Sequence, residues 1–109
     1  MACQVILSQK GPLPIKVTFN AQTDGPACLE VNGSAWSQTA GVYIGIAIQL
    51  DGAPVGSAQT FSSAASIHRT VVPAFIPIKL GFGQHALILS AMPNTIADDG
   101  DFYVAVIHY

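Results

Sequence analysis

The strongest constraint in this sequence is a period of two. From Val42 to Leu50 one set of positions reads Val42, Ile44, Ile46, Ile48 and Leu50, and the other reads Tyr43, Gly45, Ala47 and Gln49. An extended strand sends alternate side chains to opposite faces, so this run is a strand whose first face belongs to a core. It ends on Asp51-Gly52, and a second run follows from Pro54 to Phe61. Asp-Gly supplies the two positive φ angles that a type I′ turn needs, so the two runs read as a hairpin. Similar short runs of β-branched and aromatic residues, each closed by Gly, Pro, Asn or Asp, span Cys3–Leu7, Ile15–Asn20, Cys28–Trp36, His68–Leu80 with a break, Gln84–Met92 and Phe102–His108.

No helical periodicity competes with this pattern. Eight such runs predict an all-β fold, an antiparallel β-sandwich of the jelly-roll type, as one domain over residues 1–109. Pro73 and Pro77 remove two ladder donors from His68–Leu80, which places that segment at a sheet edge or at a bend between sheets. Gly81-Phe82-Gly83 predicts a tight reversal, and Asp98-Asp99-Gly100-Asp101 predicts a polar loop.

Charge is the second constraint. Charged residues make up 9% of the chain, against about 25% in ordinary soluble domains, while 50% of residues are hydrophobic. No apolar stretch reaches the about 18 residues of a spanning helix, and no signal peptide is visible at Met1–Ser8. The four cations Lys10, Lys16, Arg69 and Lys79 are scattered and the net charge is -2, which argues against a nucleic-acid partner.

Several strands have no charged face at all. On the last one, Phe102, Val104, Val106 and His108 alternate with Tyr103, Ala105, Ile107 and Tyr109, and the Gln84–Met92 run behaves alike. Two readings remain open: central strands of a well-filled sandwich, or a sheet whose outer surface is covered by another subunit, with Tyr103, Ile107 and Tyr109 at the contact.

Catalysis needs converging titratable groups, and six acids and three histidines give few to converge. Asp98, Asp99 and Asp101 form the best metal candidate, since carboxylates on one loop suit Ca²⁺, although the EF-hand spacing is missing and a solvated turn competes. No other cofactor is indicated. His68, His85 and His108 lack local metal-ligand spacing, and Cys3 and Cys28 lack a CxxC arrangement and read as free thiols. Asn32-Gly33-Ser34 matches a glycosylation sequon that reads as accidental. For sugar recognition the requirement is an aromatic face beside fixed polar groups. Trp36, Tyr43, His68 and Arg69 are the candidates, with Trp36 also suited to a core and Arg69, the single arginine, also suited to an intersubunit salt bridge.

The order Val31-Asn32-Gly33-Ser34-Ala35-Trp36, Gly41-Val42-Tyr43-Ile44-Gly45-Ile46, Leu50-Asp51-Gly52, Gly83-Gln84-His85-Ala86-Leu87 and Phe102-Tyr103-Val104 resembles bacterial and phage jelly rolls of the TNF/C1q-like kind, trimeric lectins among them. That resemblance implies a homotrimer with its terminal strand near the axis and ligands between subunits. The combined expectation is a non-enzymatic, oligomeric, carbohydrate-binding module. The alternative is a structural or assembly module, of a virion, fibre or appendage, with no small ligand.

Overall fold

The computed structural model describes residues 2–109. Nine strands follow in order: β1 (Cys3–Lys10), β2 (Ile15–Ala21), β3 (Gly25–Ala35), β4 (Val42–Leu50), β5 (Ala53–Ser62), β6 (Arg69–Thr70), β7 (Ala74–Leu80), β8 (Gly83–Ala91) and β9 (Phe102–His108). One sheet has the order β1-β9-β3, with β6 and β7 both pairing the free side of β3; the other has the order β2-β8-β4-β5. All pairings are antiparallel. Alternation of β1, β9, β3, β7 with β2, β8, β4, β5 is the jelly-roll connectivity, two Greek keys wrapped into facing sheets. Among the described residues no helix is long and apolar enough to cross a membrane.

The local signals act as their chemistry requires. Asp51 and Gly52 both take positive φ, 53° and 83°, and close the β4–β5 hairpin. Ile44, Ile46, Ile48 and Leu50 face the opposing sheet and are buried. Ile46, Ile48 and Leu50 meet Leu29, Val31, Leu87, Leu89 and Ile107 in one apolar cluster. Each such side chain contributes about 1.5–3 kcal/mol relative to exposure, as an upper bound.

Three expectations take a definite form in the structure. First, Gly81-Phe82 does not close a hairpin: β7 lies in one sheet and β8 in the other, so the chain turns a corner across the sandwich. Second, the break expected within His68–Leu80 divides it into two strands, β6 and β7. Its chain leaves the ladder at Val71–Pro73, where the Val71 N–H donates to the Gly33 carbonyl (2.9 Å) and the Val72 N–H to the Gln59 carbonyl of β5 (2.9 Å). The proline break thus laces one sheet to the other, and β7 is an edge strand as its Pro77 demands.

Third, Tyr103 and Ile107 are 0% exposed within this chain, so they are core residues and not subunit contacts; Tyr109 is partly buried against the same cluster. The apolarity of both β9 faces left the choice open. The tertiary fit decides it: Gly33 sits opposite Tyr103, where any Cβ would fall 2.4 Å from the Tyr103 ring and 3.0 Å from Ile46. The missing side chain makes room for the ring, and the phenol donates to the Ser34 carbonyl at 2.8 Å. Burial pushes its pKa well above the usual phenol range. β9 also separates β1 from β3, leaving Cys3 and Cys28 two strand spacings apart, beyond disulfide reach, and both are free.

At the end of the sandwich formed by the β4–β5 turn, His85 Nδ1 donates to Asp51 Oδ2 (2.6 Å) and its Nε2 lies 2.8 Å from the Gly81 carbonyl. The Ala86 N–H donates to Asp51 Oδ1, and Phe19 stacks on the imidazole with centroids 5.7 Å apart. Both ring nitrogens face acceptors, so the protonated imidazole fits the site best. The Asp51 bond, helped by the Gly81 carbonyl, raises the His85 pKa above 6.5. Desolvation acts upward on Asp51, but the bonds from His85 and Ala86 outweigh it and hold its pKa below 3.8.

Two outcomes follow for stability. The raised His85 pKa means its contribution is complete below pH 6.5 and is lost as pH rises through the folded-state value; the lowered Asp51 pKa means its contribution is complete above pH 3.8 and is lost as pH falls. Chemical denaturation between pH 3 and 9 should show both limbs, and His85→Gln should shrink the upper one. Separately, Gly33→Ala should cost about 1–3 kcal/mol through overpacking against Tyr103, whereas Gly81→Ala, with open space at its Cβ position, should leave the urea midpoint nearly unchanged.

Candidate functional site

The loops at the opposite end of the sandwich converge on one carboxylate. Asp101, immediately before β9, is fully buried. Its Oδ1 accepts from the Ser34 hydroxyl on β3 (2.8 Å) and from His68 Nδ1 (2.8 Å), and its Oδ2 accepts from the Asp98 N–H (3.0 Å). The Asp101 N–H in turn donates to the Asp98 carbonyl (3.0 Å), closing the polar loop expected from the sequence. Removing a carboxylate from water costs several kcal/mol unless its lone pairs are met. Here three donors from three segments meet them.

Asp98 stands beside this hub. Its Oδ1 accepts from the Gly100 N–H (2.9 Å) and its Oδ2 from the indole Nε1 of Trp36 (3.1 Å). The Gly100 bond leads the influences that keep its pKa below 3.8. Trp36 is anchored at its own end by paired backbone bonds with Ile96, and its ring lies 5.6 Å from that of His68, tilted by 37°. His68 Nδ1 is held by Asp101, so Nε2 faces outward, 4.0 Å from Asp98 Oδ2. The Asp101 hydrogen bond raises the His68 pKa, with both carboxylates adding to it. His68, Asp98 and Asp101 thus gather three groups of metal-ligating type, their ligand atoms lying within 4.8 Å of one another.

A groove of about 260 Å³ adjoins the cluster, lined by Asn32, Gly33, Ser34, Thr70, Phe102 and Val104. Its origin is the proline break. β6 pairs Ser34 and Ala35 while β7 begins opposite Val31, so no strand covers Asn32 and Gly33 on that side. Asn32 Oδ1 takes up the Gly33 N–H (2.8 Å), a donor that a continuous edge strand would have paired. One wall is polar (Asn32, Ser34, Thr70), the other apolar (Phe102, 44% exposed, and Val104). Ser34 belongs to both groove and cluster.

Of the four ligand residues read from the sequence, Trp36 and His68 come together here. Tyr43 does not: it projects from the outer face of β4, 66% exposed, edge-on to Phe61 at 5.2 Å. Arg69 donates from Nη2 to Ser63 (2.7 Å) and its Nε is buried without a partner, on the opposite side of β6 from Thr70. Asp99, grouped with Asp98 and Asp101 in the sequence, is exposed and joins neither network. Asn32, Ser34 and Phe102 went unrecognised as ligand residues. The one signal available was Pro73 interrupting a segment that otherwise pairs β3.

No protein-family model matches the chain, and no curated protein matches it in sequence. Solved structures do match. Dimeric latent PorU from Porphyromonas gingivalis superposes with a TM-score of 0.53 at 14% identity, over 87% of this chain and 10% of that one. The EclA C-terminal domain, a sugar-binding protein, gives 0.52 at 16% identity, over 84% of this chain and 64% of that one. The CBM36-1 domain of a multidomain xylanase from the hindgut metagenome of Trinervitermes trinervoides gives 0.49 at 15%, over 94% and 76%. The chain thus spans less than two thirds of the first two. Identities this low establish the β-sandwich fold alone. The jelly-roll part of the expected resemblance stands, and nothing in these matches supports its TNF/C1q-like, trimeric part.

Titration of the His68 ring by NMR checks the hub. Its pKa should lie above 6.5 in the native protein and fall toward that value in Asp101→Asn, because the acceptor on Nδ1 is weakened. A native value at or below 6.5 would mean that the Asp101 bond does not persist in solution.

Proposed function

We propose that this chain is a non-catalytic carbohydrate-binding module whose site is the groove over Asn32, Ser34, Thr70, Phe102 and Val104. The groove itself carries the reading: an exposed aromatic edge and a valine face three short polar side chains, with no charged residue in the lining. A pyranose ring has the matching asymmetry, apolar C–H surface on one side and hydroxyls around its rim. Trp36 and His68 flank the Ser34 end through the Asp101 hub. The described sugar binding of the EclA domain, a neighbour in fold, is consistent with this use of the scaffold.

The chemistry of the cluster favours binding over catalysis. Ser34 gives its hydrogen to Asp101, not to His68, so the nucleophile-to-base contact of acyl transfer is not made. A second reading rests on a separate observation: Val5, Phe75 and Phe102 are exposed, and strand alternation puts all three on the outer face of the β1-β9-β3 sheet. A structural or assembly module, including a homotrimer, would cover that face with a second copy.

A glycan array followed by calorimetry on its best neutral sugar separates the readings. Saturable binding should weaken at least tenfold in Phe102→Ala and be unchanged in Tyr43→Ala, which lies on the other sheet. A defined oligomer by light scattering with no glycan binding at millimolar sugar would instead favour the assembly module.

A further inference from the structure

The geometry points to a second, separate site: we propose that His68 Nε2 and Asp98 Oδ2 bind a divalent first-row transition cation of the Ni²⁺ or Zn²⁺ type. Three features set this pair apart. The buried Asp101 carboxylate takes the His68 Nδ1 hydrogen at 2.8 Å, which fixes the tautomer and leaves the Nε2 lone pair as the outward donor. A carboxylate behind an imidazole in this way is the usual support of a metal-bound histidine. The two outward atoms are 4.0 Å apart, and adjacent ligands of such a metal stand about 3.0–3.4 Å apart, so a shift of about 1 Å or less in these half-exposed side chains brings both onto one ion. Both side chains are half-exposed, which leaves room for the waters that complete the coordination shell.

The donors also select the class of ion. Both Asp101 oxygens are already occupied by Ser34, His68 and the Asp98 N–H, so Asp101 supports the site from behind and does not ligate. What remains is one imidazole nitrogen and one carboxylate oxygen. Ca²⁺ requires six to eight oxygens, whereas an N/O pair suits the later first-row metals. The other two imidazoles are engaged differently: His85 has both nitrogens against acceptors, and His108 Nε2 lies 2.7 Å from Glu30 Oε1 with Cys3 and Cys28 in register on either side of its strand.

Trp36, the chain's one tryptophan, reports on the site directly, since its indole bonds Asp98 Oδ2 and lies beside His68. Titrating the full chain with Ni²⁺ should quench Trp36 emission saturably at one ion per chain, with a hundredfold excess of Ca²⁺ failing to reverse it. His68→Gln should weaken the apparent affinity at least tenfold, and Asp101→Asn should weaken it about 10–100-fold by loosening the imidazole. His108→Gln should leave the titration unchanged, and circular dichroism should be native in each variant. No saturable quenching, quenching that survives His68→Gln in a folded protein, loss of quenching in His108→Gln, or displacement by Ca²⁺ would each overturn the proposal. The sugar-binding reading does not depend on the outcome.

Discussion

The buried carboxylate of Asp101 is the interaction on which the loop end of this sandwich depends. It joins β3 through Ser34, the segment before β6 through His68, and its own loop through the Asp98 N–H. A jelly roll holds its sheets together by apolar packing, but loops carry no such pattern and need local polar partners to settle on one arrangement. A charged group inside is costly when any partner is lost, so the hub enforces its geometry on all three segments at once. Asp98, Trp36 and the outward edge of His68 take their positions from it.

The groove arises from a different constraint, the inability of proline to serve a ladder. Where the chain leaves β3 between β6 and β7, its two free N–H groups go to Gly33 on one sheet and Gln59 on the other. The same departure closes the open side of the sandwich and uncovers Asn32 and Gly33 on the outer face. Structure and site therefore share one cause. Gly33 serves both as well, since its missing side chain admits the Tyr103 ring beneath while its backbone floors the groove above.

Much of the scaffold was legible in the sequence because strand periodicity and turn chemistry are local. The β4–β5 hairpin, its Asp51-Gly52 turn and the core face of Ile44, Ile46 and Ile48 follow from residues within a few positions of one another. The site was only half legible. Trp36 and His68 could be singled out by residue type, but their partner Asp98 lies 62 residues from Trp36, and Asp101 lies 33 from His68. Tyr43 and Arg69 have equally suitable chemistry, and only their sheet and strand face separate them from the cluster.

By itself, then, the sequence determined the all-β class, the number and order of the main strands and the edge character of the proline-bearing one, since each rests on short-range sterics and alternation. Tertiary structure alone decided which face of β9 is inside, that the Gly81-Phe82 reversal crosses between sheets, and that a carboxylate in a polar loop becomes a buried hub. Two apolar faces have equal claims on a core until a particular neighbour, here Gly33, makes room for one of them. A hydrogen bond between residues tens of positions apart likewise has no trace in the chain before the sheets assemble.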